Sequence, residues 1–456
     1  MAATDRRETT VASIVTGEWR VTIPKESLTT VKHEHGLVRR AWLATIAKVA
    51  AGEKMVAKIA SDDPRKVVHA FKVGITLALV SLFYYLRPLY DGVGGTAMWA
   101  VMTVVVIFEY TAGGTLYKGL NRAAATLTAG ALGVGIHWFA SKAGHAGELI
   151  ILNGAVFILA SVVSFSRFFP AIKRQFDYGA TIFILTFCLV AVSGYRVDEL
   201  VVLAQERLST VCIGIAICLI VSMLICPVWA GGDLHRLTAG NADKLADSLE
   251  GSVEGYFDGK EAPKAQGFKC VLNSKALEDS LVNLARWEPG HGPFSFRHPW
   301  SQYKRLGDAM RNCAFCIEAL YGCLTSEIQA PELMKKRLSD ACLKLSSNSA
   351  KALRETAACI RLMERSKTLE CLIGETSCAA AEVKRELPEL LPAGDAEVDH
   401  QLVTTKRNHS LIEAMPLVAF ASILAEIPAR VKGVAEELEK LADLAGFKAA
   451  GERLSN

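Results

Sequence analysis

Six apolar stretches, packed between His69 and Trp229, constrain this chain more than anything else in it. In order they read "AFKVGITLALVSLFYYL", "TAMWAVMTVVVIFEYTA", "TLYKGLNRAAATLTAGALGVGIHWFA", "ELIILNGAVFILASVVSFSRFF", "YGATIFILTFCLVAVSGY" and "LSTVCIGIAICLIVSMLICPVWA". A hydrocarbon core about 30 Å thick calls for roughly 17 to 25 apolar residues per helical crossing, and all six satisfy that. Lipid offers no partner to a free backbone N–H or C=O, so each stretch has to be a helix. Turn residues punctuate the gaps: Arg87-Pro88, Gly113-Gly114, Pro170 and Gly231-Gly232.

From Asp233 onward the pattern changes. Leu245, Leu249, Val253 and Tyr256 recur at helical spacing with Asp243, Lys244, Asp247 and Glu250 between them. Similar stripes follow, including Leu277, Leu281 and Leu284, and later the run "KKRLSDACLKLSSNSAKALRETAACIRLMER". The fold class that results is an all-α membrane protein, six transmembrane helices followed by a cytosolic helical bundle domain. Its boundaries are a cytosolic N-terminal arm over 1–61, a six-helix membrane domain over 62–232 and the helical domain over 233–456. The stretch "LIEAMPLVAFASILAEIPARV" contains two glutamates and two prolines and is assigned to the bundle, not to a seventh crossing. "LPELLPAGDAEVD" reads as a linker. In the arm, Trp42, Ile46 and Val49 beside Arg39, Arg40 and Lys48 suit either an interfacial helix or a solvated one packed on the C-terminal domain.

Basic residues set the orientation. Arg65, Lys66, Lys72, Lys118, Arg122, Arg167, Lys173, Arg174 and Arg236 gather on one side, against Arg87, Lys142, Arg196 and Arg207 on the other. The positive-inside rule then puts both termini in the cytosol and turns Asp91, Glu148, Asp198 and Glu199 outward. The first twenty residues hold acids and arginines with no apolar run, so no cleaved signal is expected there. A net charge of +4 gives no reason to expect nucleic acid as a partner. Twelve cysteines scattered over membrane-like runs and helical segments read as reduced thiols.

No hydrolase or nucleotide pattern is present, and no Walker loop supports an ATP-driven pump, so neither an enzyme nor a cofactor is expected. "CAFC", Cys313 to Cys316, has metal-ligand spacing but no second pair at finger spacing, and "KHEHG" is a lone histidine pair in a polar arm. What remains is a set of cations in or beside the crossings. Lys118 and Arg122 stand four apart at the start of the third stretch, where a charge facing lipid costs roughly 2.5 to 3.5 kcal/mol. Glu109 and Asp177 are the acids in that zone and can neutralise two of the cations; the rest need hydration. A water-filled path between helices supplies it and draws in anions such as small carboxylates, nitrate or chloride. One of Lys118 and Arg122 is expected to pair with Glu109, leaving Arg122 to face the anion. Behind them, "TAGALGVG" places Ala129 with Gly133 and Ala131 with Gly135 on rows that permit close helix packing, within a subunit or across a dimer.

The segments "DPRKVVHAFKVG", "MWAVMTVVVIFEYTAGGTLYKGLNR", "RFFPAIKRQFDYG", "IFILTFCLVAVSGYR", "ERLST", "CPVWAGGDLH" and "WEPGHGPFSFRHPW", in order and with spacing kept, resemble the plant aluminium-activated malate transporter family. The resemblance implies a homodimeric anion channel in the lipid bilayer that conducts malate and inorganic anions (chloride, nitrate, sulfate). It carries the basic pore positions onto Lys72, Lys118, Arg122, Lys173, Arg174, Arg196 and Arg207, with Arg167 added. It makes Trp287, Glu288 and Pro289 a motif tied to gating. From the residues alone, Pro289 ends a helix and Trp287 anchors it. Some members respond to aluminium, and Asp91, Glu148, Asp198 and Glu199 are the candidates for sensing that cation; no firm metal site follows. The resemblance places such a chain in the plasma membrane, with the vacuolar membrane as the alternative. A secondary carrier for organic acids is the competing function, but the repeated halves with broken helices that suit alternating access are not seen.

Overall fold

In the computed structural model the residues described are 48, 51–86, 97–194, 200–259, 264–390 and 413–449. Arg87, Asp91, Arg196, Asp198, Glu199, His33, His35 and the start of the amphipathic arm lie outside them. The chain divides at Val68 into two compact units. In the first, a helical stretch over 51–62 leads to Asp63, whose carboxylate accepts from the backbone N–H and the Nε of Arg65, while Pro64 starts the next helix. Proline suits that first helical position because its missing N–H has no partner there in any case.

The membrane helices are α1 (Pro64–Tyr85), α2 (Ala97–Ile107), α3 (Ala112–Ala140), α4 (Gly144–Ser166), α5 (Pro170–Gly194) and α6 (Leu200–Leu224). By length and composition six helices can cross a membrane, five of which are α1, α3, α4, α5 and α6. The protein is a multi-pass membrane protein. The second apolar stretch folds as the shorter α2, whose 11 residues rise about 16 Å. The remaining long apolar helix is Glu413–Ala445. Its Leu417, Phe420, Leu424 and Ile427 are fully buried in the C-terminal core, so its apolar face is spent on protein and not on lipid.

Two apolar clusters hold the membrane helices together. Val80, Val104, Ile107, Val211, Ile215 and Cys218 join α1, α2 and α6, and Ala129, Phe187 and Ala191 join α3 to α5. Gly133 is required there: a Cβ on it would stand 2.7 Å from Val190 Cγ1. The Ala129–Gly133 row therefore packs inside this chain, while Ala131 and Gly135 of the neighbouring row stay exposed. In hydrocarbon such small-residue contact is what lets two backbones approach.

The C-terminal helices are α7 (Ala230–Asp258), α8 (Phe268–Leu272), α9 (Lys275–Ala285), α10 (Trp300–Leu324), α11 (Glu332–Leu362), α12 (Leu369–Glu386) and α13 (Ile427–Ala445). α7 lies against α11 and α10, and α13 covers α10. Tyr256 stacks on Phe420 at 3.9 Å between ring centroids within this core. A two-residue parallel pair, β1 (Glu364–Arg365) with β2 (Lys448–Ala449), ties the end of α11 to the end of α13. "CAFC" lies on α10, where burial pushes the Cys313 thiol up to about 12 and so disfavours the thiolate that a zinc would need.

Tyr303 joins two buried histidines, 2.8 Å from His235 Nδ1 and 3.3 Å from His298 Nε2. Burial lowers both imidazoles and takes His298 down to about 4. A depressed histidine adds nothing above its ordinary pKa of 6.5; below it the unfolded chain binds a proton that the folded ring refuses. Stability should fall by up to about 1.4 kcal/mol per pH unit from pH 6.5 towards 4. Thermal midpoints of the detergent-solubilised protein should drop across that window, and His298→Gln should flatten the slope.

Candidate anion pathway and domain junction

Two of the expected cations are paired with an acid, and a third donates to a backbone carbonyl. Lys118 forms the ion pair with Glu109, so of the two cations at the start of α3 it is Arg122 that lacks a carboxylate among the described residues. Arg167 grips Asp177 with two bonds, Nε to Oδ1 at 2.7 Å and Nη2 to Oδ2 at 3.2 Å. Lys72 is buried and donates to the carbonyl of Cys226 at 2.9 Å, just past the end of α6, where residual carbonyls favour a cation. Lys173 is exposed at the start of α5, and Arg196 lies outside the described residues.

Arg122 and Arg207 are different. They line one cavity of about 20 Å3 inside the membrane helices, together with Trp99, Thr126, Thr186 and Val211. That volume holds about one water. Arg122 is 6% exposed and donates through Nη1 to the Tyr178 hydroxyl at 3.3 Å. The Arg207 guanidinium sits over the Trp99 ring, 4.2 Å from its centroid. The Nε atoms of both arginines are buried without a hydrogen-bond acceptor, and no carboxylate among the described residues pairs with either. Two positive charges in a low-dielectric cavity, lined otherwise by hydroxyls and apolar groups, leave donor capacity for an anion. From its place in α3, Arg122 lies about 15 Å along the helix, well past its first turn.

Glu148, one of the four acids expected to face outward, lies 3.7 Å from His137 Nδ1, and the other three fall outside the described residues. Among the described residues no group of three His, Cys, Asp or Glu is arranged to hold a metal ion.

Glu288 occupies a position that spacing alone gives no hint of. Its carboxylate is buried at the start of α7, where it accepts from the backbone N–H of Ala230 at 2.6 Å and of Gly231 at 3.0 Å. It also reaches the first turn of α3, against Gly113. A Cβ on Gly113 would collide with the Leu284 carbonyl and the Glu288 side chain, so only glycine permits the approach. One carboxylate thus caps the N-termini of a membrane helix and of a C-terminal helix, both of which present free N–H groups and a positive dipole end. Burial raises the Glu288 carboxyl above the usual range, and the N–H donors pull it partly back. His291 stacks on Trp229 at 3.9 Å and stands 3.9 Å from the Glu288 carboxylate. Trp287 packs on Tyr117 of α3, 5.5 Å between centroids, and Ala112 N–H donates to the Val228 carbonyl at 2.9 Å.

Residues 57–393 match the family described as aluminium activated malate transporter. The chain belongs to the aluminium-activated malate transporter family. It is 44% identical to aluminum-activated malate transporter 10 of Arabidopsis thaliana, covering 94% of each chain. It is 45% identical to aluminum-activated malate transporter 1 of Triticum aestivum over 91% of this chain and 90% of that one. Aluminum-activated malate transporter 2 of Arabidopsis thaliana is 43% identical over 86% of this chain. In this member of the family, sequence reasoning missed Trp99, Thr126, Thr186 and Tyr178. Each looks like an ordinary membrane-helix residue until the fold sets it beside Arg122 or Arg207.

Proposed function

We propose that this chain forms a homodimeric channel passing malate, and with it chloride, nitrate and sulfate, down their electrochemical gradients. The observation that carries the proposal is the pairing of Arg122 and Arg207 in one intramembrane cavity without a balancing carboxylate among the described residues. Relatives across nearly the whole chain that bear the name malate transporter support the substrate class. Within the wider cationic set of Lys72, Lys118, Arg167, Lys173, Arg174 and Arg196, the charges already matched by an acid or carbonyl serve to shape the path's entrance, and Arg122 and Arg207 meet the anion. A cavity holding one water is too narrow for a dicarboxylate, so conduction requires the helices to part there. The domain over 233–456 lies in the cytosol with both termini, and gates that motion through Trp287, Glu288 and Pro289. The plasma membrane is the site of action.

Voltage-clamp recording with malate on one side tests this directly. Currents that reverse at the malate equilibrium potential support a channel. A saturable uptake that carries no current would instead establish a carrier.

A further inference from the structure

A second cavity, of about 470 Å3, lies where α3 and α5 meet α9 and the turn that follows it. Tyr117, Arg174 and Gln175 come from the first two turns of the membrane helices, and Asn283, Arg286 and Trp287 from the C-terminal side. Its size falls within the range of small-molecule sites. Its chemistry is one-sided: two guanidiniums, amide and hydroxyl donors and aromatic faces, with no acid among the described residues that line it. Neither Arg174 nor Arg286 has a carboxylate partner among the described residues, although Glu288 is only two residues from Arg286 in sequence. That acid is turned away into its buried helix-capping position.

We infer that this junction cavity is a binding site for a phosphate-bearing ligand, distinct from the anion path. Two arginine forks on facing walls suit a phosphate group, which accepts paired N–H donors from each. Trp287 and Tyr117, their rings tilted 58° to one another, supply an aromatic corner for the body that carries the phosphate. The cavity's membrane side is built from the first turns of helices that span the bilayer, the depth at which phosphorylated lipid headgroups lie. A soluble phosphate compound reaches the same groups from the aqueous side. Occupancy would brace α3 against α9 beside Glu288.

The test uses the full-length protein in nanodiscs. One arm compares phosphatidylcholine alone with phosphatidylcholine containing 5% phosphatidylinositol 4-phosphate, reading the thermal midpoint; the other titrates pyrophosphate into phosphatidylcholine discs by microscale thermophoresis. Saturable binding or stabilisation in either arm, weakened at least tenfold by Arg286→Gln, supports the site, and the responding arm identifies the source of the phosphate. Arg286 is exposed, so this variant should fold, and Arg286→Lys should retain an intermediate response. No response of the wild type in either arm overturns the inference. So does a response unchanged by Arg286→Gln, or one abolished by Arg122→Gln, which would put the phosphate in the anion path instead.

Discussion

Arg122→Gln should cut malate current at least about tenfold at equal surface expression, and Arg122→Glu should abolish it. The estimate rests on charge in a confined space. At an effective dielectric near 20, a unit charge about 5 Å from an anion contributes on the order of 3 kcal/mol. About 1.4 kcal/mol is already a factor of ten in occupancy. Glutamine is too short to keep the hydrogen bond to Tyr178, so the comparison is made at equal surface expression, where the larger part of the loss should be electrostatic. Arg207→Gln should act in the same direction and also forfeit the contact with Trp99, worth about 0.5–2 kcal/mol. Because both arginines line one cavity, the double variant should fall short of the product of the single effects. Lys118→Gln makes the control: its charge is matched by Glu109, so its effect should be several times smaller. Unchanged current in Arg122→Gln would end the assignment of this cavity to the anion path.

The second large effect is expected at Glu288. Glu288→Gln preserves the shape but removes the charge and turns an NH2 group towards backbone N–H groups that need an acceptor. Hydrogen bonds to a charged group contribute about 1.5–3 kcal/mol each, and a buried donor left without a partner adds a cost of similar size. The thermal midpoint should fall by several degrees, and macroscopic current should drop several-fold. The reversal potential should stay at the wild-type value, since the cavity proposed to meet the anion lies elsewhere. A shifted reversal potential with an intact midpoint would place Glu288 in the conduction path and not at a gate. Gly113→Ala approaches the same joint from the other helix, with a methyl group forced into the Leu284 carbonyl and the Glu288 side chain. It should reproduce the loss of current.

Much of the architecture was legible because lipid allows so little choice. α1, α3, α4, α5 and α6 follow from apolar runs of the right length, and the amphipathic stripe of Leu245, Leu249 and Val253 is the buried face of α7. The family was legible for a similar reason, since its segments keep their order and spacing. The second stretch was harder. Hydropathy reads "TAMWAVMTVVVIFEYTA" as one run, but Glu109 leaves the helix to pair with Lys118, and α2 ends at Ile107.

The cations divide in the same way. Charge and spacing are local properties, so the sequence by itself determined that Lys72, Lys118, Arg122, Arg167 and Arg207 stand in or beside membrane helices. It also determined that two acids could not balance them all. What each charge meets depends on the fold: the Cys226 carbonyl for Lys72, the Asp177 carboxylate for Arg167, and only the neutral Trp99 ring for Arg207. The same holds for Glu288, whose neighbours in sequence reveal nothing of the two helix ends it joins. Only the tertiary structure decided these, because the energy of a buried charge is set by what surrounds it in space, and helix packing brings together groups that sequence order keeps apart.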